Sequence, residues 1–317
     1  MIAAVQRLPA ELAFVVFTRA AVVAALVVLL AIASPHFLTS DNMVIILRQA
    51  ALQFLLSAGL TVVVLAGGID LSVGAVLGLS ACLGAALIAK GFLIWGIASA
   101  LLVGLACGLV NGALVAYVGI PAFIATYGML WVAHGLGYVF MKGEVIHGFA
   151  PGFRTLGAGF IAGIPVPVVI AALVLIFLQV LLHLTRFGRA LYAMGGSPVA
   201  ARLTGIPTRK YLMVVYGLSG IFAGFAGLVV IARVNAADSG TGEELLLTII
   251  AAVVLGGTSL FGGVGGIMGT AVGALILALV VNGMNMLSIP TFWQAFAMGA
   301  IVILAVLADV SFKRRFS

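Results

Sequence analysis

The residues able to do chemistry in this chain are few and set in apolar surroundings. Residues 62–74 read VVVLAGGIDLSVG, an apolar run broken by Gly67, Gly68, the carboxylate Asp70 and the hydroxyl Ser72. A second group lies in ATYGMLWVAHGLGYVF: Tyr127, Trp131, His134 and Tyr138 recur at spacings of 4, 3 and 4, which is one face of a helix. Aromatic rings with polar edges suit a solute whose C–H faces stack while its hydroxyls seek hydrogen bonds. Equally, such a stripe suits helix packing near a membrane interface. Asn111, Asn282 and Asn285 are uncharged amides inside apolar runs, as are Gln49 and Gln53 beside Arg48. They either line a path for a neutral solute or hydrogen-bond between helices.

Catalytic sets are missing from the sequence. It holds no G-x-S-x-G, no G-x-x-x-x-G-K-[ST] and no His/Cys/Asp/Glu cluster with metal-ligand spacing. The sequence therefore implies no cofactor, no metal and no ATP hydrolysis by this chain. Cys82 and Cys107 both lie within apolar windows and read as small packing residues.

What must position these residues follows from composition. Only 7% of the 317 residues are charged and 64% are hydrophobic, with a mean hydropathy of +1.36. Soluble domains carry about 25% charge, so the natural solvent is a lipid bilayer. The expected fold is all-α and polytopic: one membrane domain over 1–317 with about ten spans and broken or re-entrant segments. The spans fall near 14–34, 43–66, 72–89, 92–118, 121–141, 165–184, 211–233, 245–257, 266–287 and 292–310. The first run, 14–33, is too long for a signal-peptide core and reads as a retained span.

The net charge of +7 reflects membrane orientation rather than nucleic acid. Segment 185–210 carries Arg186, Arg189, Arg202, Arg209 and Lys210 without an acid, and the tail adds Lys313, Arg314 and Arg315. Both are expected to be cytoplasmic, and an even number of spans puts the N-terminus there too.

The chain also repeats itself. VLAGGIDLSVG (64–74) matches VVLGGTSLFGG (253–263), which sets Ser259 opposite Asp70, and VNGALVAYVGIPAF (110–123) matches VNGMNMLSIPTF (281–292). Repeat halves of about 40–141 and 211–310 follow, with the pathway between them. The Gly-Gly to Asn-Gly interval is 44 residues in the first copy (67 to 111) and 26 in the second (256 to 282). One short segment is therefore a candidate for re-entry.

Gly67 and Gly68 end one helix, and Asp70 or Ser72 is placed to cap the next at Val73. An unpaired Asp at the centre of a lipid-facing helix costs about 2.5–3.5 kcal/mol. Asp70 escapes that cost by facing a watery cavity, by sitting at a membrane boundary, or as a cap. In segment 185–210, residues 191–194 fit one turn stopped by Gly195 and Gly196. Ser197 then offers an N-cap with Pro198 at the first helical position, and a helix over 198–203 ends at Gly205 and Pro207. Read from its residues, this is a basic loop held near lipid headgroups.

GGIDLSVG, VVLGGTSLFGGVGGIMGT, the VNG…IP.F pair and FGRALYAMGGSPVAARLTGIP together resemble the membrane permease subunit of ribose-type ABC importers, over about 40–310. That resemblance implies import of a monosaccharide or similar polyhydroxy solute across a bacterial inner membrane. It also implies a second permease copy (identical or not), an ATP-binding cassette subunit and a periplasmic substrate-binding protein. Ala200, Ala201 and Gly205 resemble the segment by which such permeases dock on their ATPases, with Arg186, Arg189, Gly195, Gly196, Ser197 and Arg202 around it. Ion-coupled secondary transport is the alternative. Asp70 is the one plausible intramembrane acid, with Glu243 and Glu244 after the polar run NAADSGTG. That scarcity disfavours proton coupling and leaves sodium open.

Overall fold

The structure is a computed structural model that describes the backbone of residues 2–242 and 244–316, and the side chains of 18–242, 244–304, 306 and 307. Glu243 and the side chains of Asp309, Lys313, Arg314 and Arg315 lie outside the described residues.

Thirteen α-helices are described. The ten predicted segments fall on α1 (Ile2–Ala33), α2 (Ser40–Leu65), α3 (Val73–Ile88), α4 (Leu93–Ala113), α5 (Ala122–Met141), α7 (Val166–Leu184), α10 (Thr208–Val234), α11 (Leu245–Leu255), α12 (Ile267–Met286) and α13 (Thr291–Phe316). A π-helical turn, Leu114–Val118, extends α4. Six helices are long and apolar enough to cross a membrane: α2, α4 with its extension, α5, α7, α10 and α12. The other apolar helical stretches, including α3 and α11, are shorter.

Three short helices occupy the connections: α6 (Pro151–Ala158), α8 (Arg186–Gly196) and α9 (Pro198–Leu203). Two-residue strands complete the loops, with β1 (Ile146–His147) pairing antiparallel to β4 (Ala236–Ala237) and β2 (Phe160–Ile161) to β3 (Ile164–Pro165).

The core is built around α2, α10 and α12, the most buried of the six long helices. Leu55, Leu65, Leu77, Leu178, Leu191 and Tyr216 are fully enclosed there. α4 and α10 cross backbone to backbone. A methyl group on Gly104 would run into the Gly220 carbonyl, and one on Gly220 into the Gly104 carbonyl. Lipid tails supply no hydrophobic drive between helices, so such close van der Waals approach carries the association.

Both Gly-Gly motifs end a helix in the same way. Gly67 has φ +80° and Gly257 φ +70°, a left-handed conformation that glycine adopts without steric cost. The following amides reach back: Gly68 N–H bonds the Val63 carbonyl at 3.0 Å, and Thr258 N–H bonds Val253 at 3.1 Å. This is the Schellman arrangement. It pairs Gly67 with Gly257, one residue away from the sequence match, so Ser259 is opposite Ile69 rather than Asp70. The Asn-Gly helices also end alike. Gly119 (φ +85°) and Ser288 (φ +53°) each precede Ile-Pro and a new helix.

Candidate functional site

Beyond Gly68 the chain crosses between α2 and α3 without helical hydrogen bonds, so its polar groups need other partners. The Ile69 carbonyl accepts from the Tyr216 hydroxyl of α10 at 3.1 Å and from Thr126 of α5 at 3.4 Å. Asp70 is 2% exposed. One carboxyl oxygen accepts from the Ser72 N–H at 3.0 Å and the Ser72 hydroxyl at 2.6 Å. The other accepts from Ser219 of α10 at 2.8 Å. Asn111 of α4 donates to the Ser72 hydroxyl at 2.9 Å. The result is a buried clasp joining the break to α4, α5 and α10.

The expected helix cap is corrected by this geometry. Ser72 stands at the N-cap of α3, but no side chain bonds the first-turn amides there. Its hydroxyl donates to Asp70 instead, and Asp70 holds the turn before the helix rather than the helix itself.

On the far side of the break lies a cleft of about 200 Å³, lined by Leu71, Gly74 and Ala75, by Leu130, Trp131 and His134 of α5, and by Gly242 and Leu246. The α5 stripe is continuous. Ring centroids of Tyr127–Trp131, Trp131–His134 and His134–Tyr138 lie 6.3, 6.0 and 4.7 Å apart. Trp131 is 58% exposed.

The third wall is Leu246 of α11 and Gly242, the last residue of a non-helical strip, 238–242, laid along α3. Cys82 donates through Sγ to the Asp238 carbonyl at 3.1 Å. Methyl groups on Gly78 and Gly74 would strike the Thr241 and Gly242 carbonyls. Cys82, Gly78 and Gly74 recur at every fourth position, so one smooth face of α3 admits peptide backbone. The strip satisfies itself internally: Gly240 N–H bonds the Asp238 carboxyl at 2.8 Å, and Asp238 N–H bonds the Thr241 hydroxyl at 3.2 Å. Irregular backbone at membrane depth persists only where it is buried in protein or lines a cavity.

The remaining predicted path residues lie elsewhere. Asn282 and Asn42 exchange two amide hydrogen bonds, at 2.7 and 3.2 Å, linking α12 to α2. Asn285 is exposed and accepts from Gln294 at 2.7 Å. Asn111 and Asn282 thus bond between elements. Ser219, Tyr216, Gly242 and Leu246 were missed, since nothing in the sequence ties α10 or the 238–246 segment to the Asp70 break.

At α8 and α9 the structure extends the predicted single turn. α8 is an eleven-residue helix that includes Gly195 and Gly196. It starts at Arg186 because Thr185 caps it, accepting from Gly188 N–H at 3.3 Å. The expected α9 is present, with Ser197 accepting from Ala200 N–H at 3.2 Å and Gly205 at φ +83° beyond its end. Arg186, Arg189 and Arg202 are exposed. Ala201 is 3% exposed and packs inward, so the outward apolar surface of α9 is Val199, Ala200 and Leu203.

Residues 42–306 match the family described as branched-chain amino acid transport system / permease component. The chain belongs to this permease family. It is 40% identical to the ribose import permease protein RbsC of Escherichia coli (strain K12), over 90% of this chain and 91% of that protein. It is 41% identical to ribose import permease protein RbsC of Bacillus subtilis (strain 168), over 90% and 89%. The D-allose transport system permease protein AlsC of Escherichia coli (strain K12) is 37% identical over 86% and 85%. No solved structure matches the chain significantly. The permease is thus a multi-pass membrane subunit of the ribose-type ABC group, and ion-coupled secondary transport is set aside. The family description and the relatives' names point to different solutes, so the solute class must be argued from the site.

Proposed function

We propose that this permease passes a monosaccharide or similar small polyhydroxy solute through the cleft beside the Asp70 break. The observation carrying this reading is the cleft in which Gly242, at the end of the non-helical strip held against α3, faces Trp131 and His134. Its volume of about 200 Å³ is below the about 300–1,000 Å³ of ordinary small-molecule pockets. It offers an indole face for C–H groups, an imidazole, and peptide groups for hydroxyls. A neutral solute fits a wall with so little charge. About ten membrane helices with broken or re-entrant segments, cytoplasmic termini, repeat halves of about 40–141 and 211–310, and a second permease copy complete the reading. Tyr127 continues the aromatic face beyond the cleft, and Gly67, Gly68, Asp70, Ser72 and Asn111 hold its break in place.

In reconstituted vesicles, Trp131→Ala should lower solute uptake about tenfold, as expected for removing an aromatic anchor. The amount of assembled complex should not change. Normal uptake by this variant would remove α5 from the path.

The energy source in this proposal is a separate ATP-binding cassette subunit seated on α9, with solute delivered by a periplasmic binding protein. Six residues make too short a helix to stand alone in water, and Val199, Ala200 and Leu203 offer an apolar face to a groove. Ala200→Glu places a charge in that contact. ATPase subunit recovered with the purified permease should fall about tenfold or more, since an unpaired interfacial charge costs several kcal/mol. Full recovery together with full uptake would take α9 out of the docking surface.

A further inference from the structure

Three glycine segments far apart in sequence meet at one point beneath α9. A methyl group on Gly262 would lie 2.8 Å from the Gly67 Cα and 3.0 Å from the Gly195 Cα. One on Gly195 would run into the Leu65 carbonyl and the Gly263 amide. The contact is bonded as well as close. Gly263 N–H donates to the Leu65 carbonyl at 3.1 Å, satisfying an acceptor at the open C-terminus of α2. Tyr192 of α8 donates its hydroxyl to the Gly265 carbonyl at 3.0 Å. Burial pushes the Tyr192 phenol above its ordinary range, so it remains a donor throughout physiological pH.

The last turns of α8 therefore touch the break after α2 and, at Gly262, Gly263 and Gly265, the loop that joins the Gly257 break to α12. At Gly195 the contact is peptide backbone against peptide backbone, and the Tyr192 side chain adds one hydrogen bond beside it. α8 passes into α9 through the single residue Ser197, so motion of α9 is delivered to the junction with little slack.

We infer that Tyr192 and Gly195 are positioning residues that form a joint carrying displacement of α9 to the Gly67 break and to the 262–265 loop that leads from the Gly257 break into α12. This rests on the reading that α9 seats the ATPase. The break after α2 leads into the cleft wall at Leu71 and Gly74, and the break after α11 leads into α12. A push on α9 thus reaches the α2–α3 break and the α11–α12 loop together, and a joint that slips separates ATP hydrolysis from solute movement.

The test uses the whole transporter, permease with ATPase and binding protein, in vesicles. Three quantities are read: ATPase subunit retained, ATP hydrolysed and solute imported. Tyr192→Phe removes one hydrogen bond and almost no volume. It should keep association and hydrolysis within about twofold while import per ATP falls roughly fivefold, the factor corresponding to one lost hydrogen bond. Gly195→Ala should lower import per ATP further, and if it fails to accumulate, Tyr192→Phe alone decides. Unchanged import per ATP in Tyr192→Phe overturns the joint, as does loss of ATPase association in that variant. The docking reading fails separately. If Ala200→Glu retains the ATPase while Tyr192→Phe still lowers import per ATP, Tyr192 still couples hydrolysis to import, but the ATPase drives it from a face other than α9.

Discussion

Asp70→Leu should leave almost no assembled permease in the membrane, while Asp70→Asn should assemble at a level within about twofold of the unchanged chain. The carboxyl accepts three hydrogen bonds, two from Ser72 and one from Ser219. Leucine leaves the Ser72 amide and two hydroxyls facing an apolar side chain. Each buried polar group so orphaned costs about 1–3 kcal/mol, and the whole stability of a domain is about 5–15 kcal/mol. The Asn111 amide, which donates to Ser72, loses its fixed partner as well. Asparagine keeps one oxygen for Ser72, and its amide donates to Ser219, whose hydroxyl turns to accept. The measurement is yield and monodispersity of permease extracted in mild detergent. Full accumulation of Asp70→Leu would show that the clasp is not needed for folding. Normal assembly of Asp70→Asn with loss of all transport would show that the acid itself is used.

Gly220→Val should have a comparable effect by another route. Its side chain would be driven into the Gly104 carbonyl at the crossing of α4 and α10. Overpacking a close contact costs about 1–3 kcal/mol. Here the obstacle is backbone, which no rotamer change relieves, so the upper end applies. The two helices must separate, and they anchor Asn111 and Ser219 of the clasp. The expected result is a marked loss of folded protein and a lower melting temperature of what remains. Gly135→Ala on α5, where an added methyl meets nothing within 4 Å, should be tolerated. Equal melting temperatures for Gly220→Val and the unchanged chain would refute the close crossing.

Much of this was open to a reader of the sequence, because each signal was local. Apolar runs of span length locate the long helices whatever they pack against. The α5 stripe follows from its 4, 3, 4 spacing, and the ring contacts bear it out. The α9 helix follows from Ser197, Pro198 and Gly205, whose effects reach only three or four residues. The Gly-Gly breaks were legible for the same reason. Their pairing was off by one because sequence identity aligns glycines, whereas the cap depends on which glycine carries the positive φ.

What tertiary structure alone decided is where the break's polar groups find partners. Asp70 reads as a cap because Val73 is near in sequence, yet its second oxygen is held by Ser219, 149 residues away. The packing of 238–242 along α3 is likewise invisible locally. Its composition, DSGTG, is that of an ordinary exposed loop. Only the smooth face of α3, with Gly74, Gly78 and Cys82 four residues apart, lets that backbone lie against a helix. A sequence states what each segment prefers by itself. Which preferences are kept depends on the partners that buried polar atoms must find, and those partners come from anywhere in the chain.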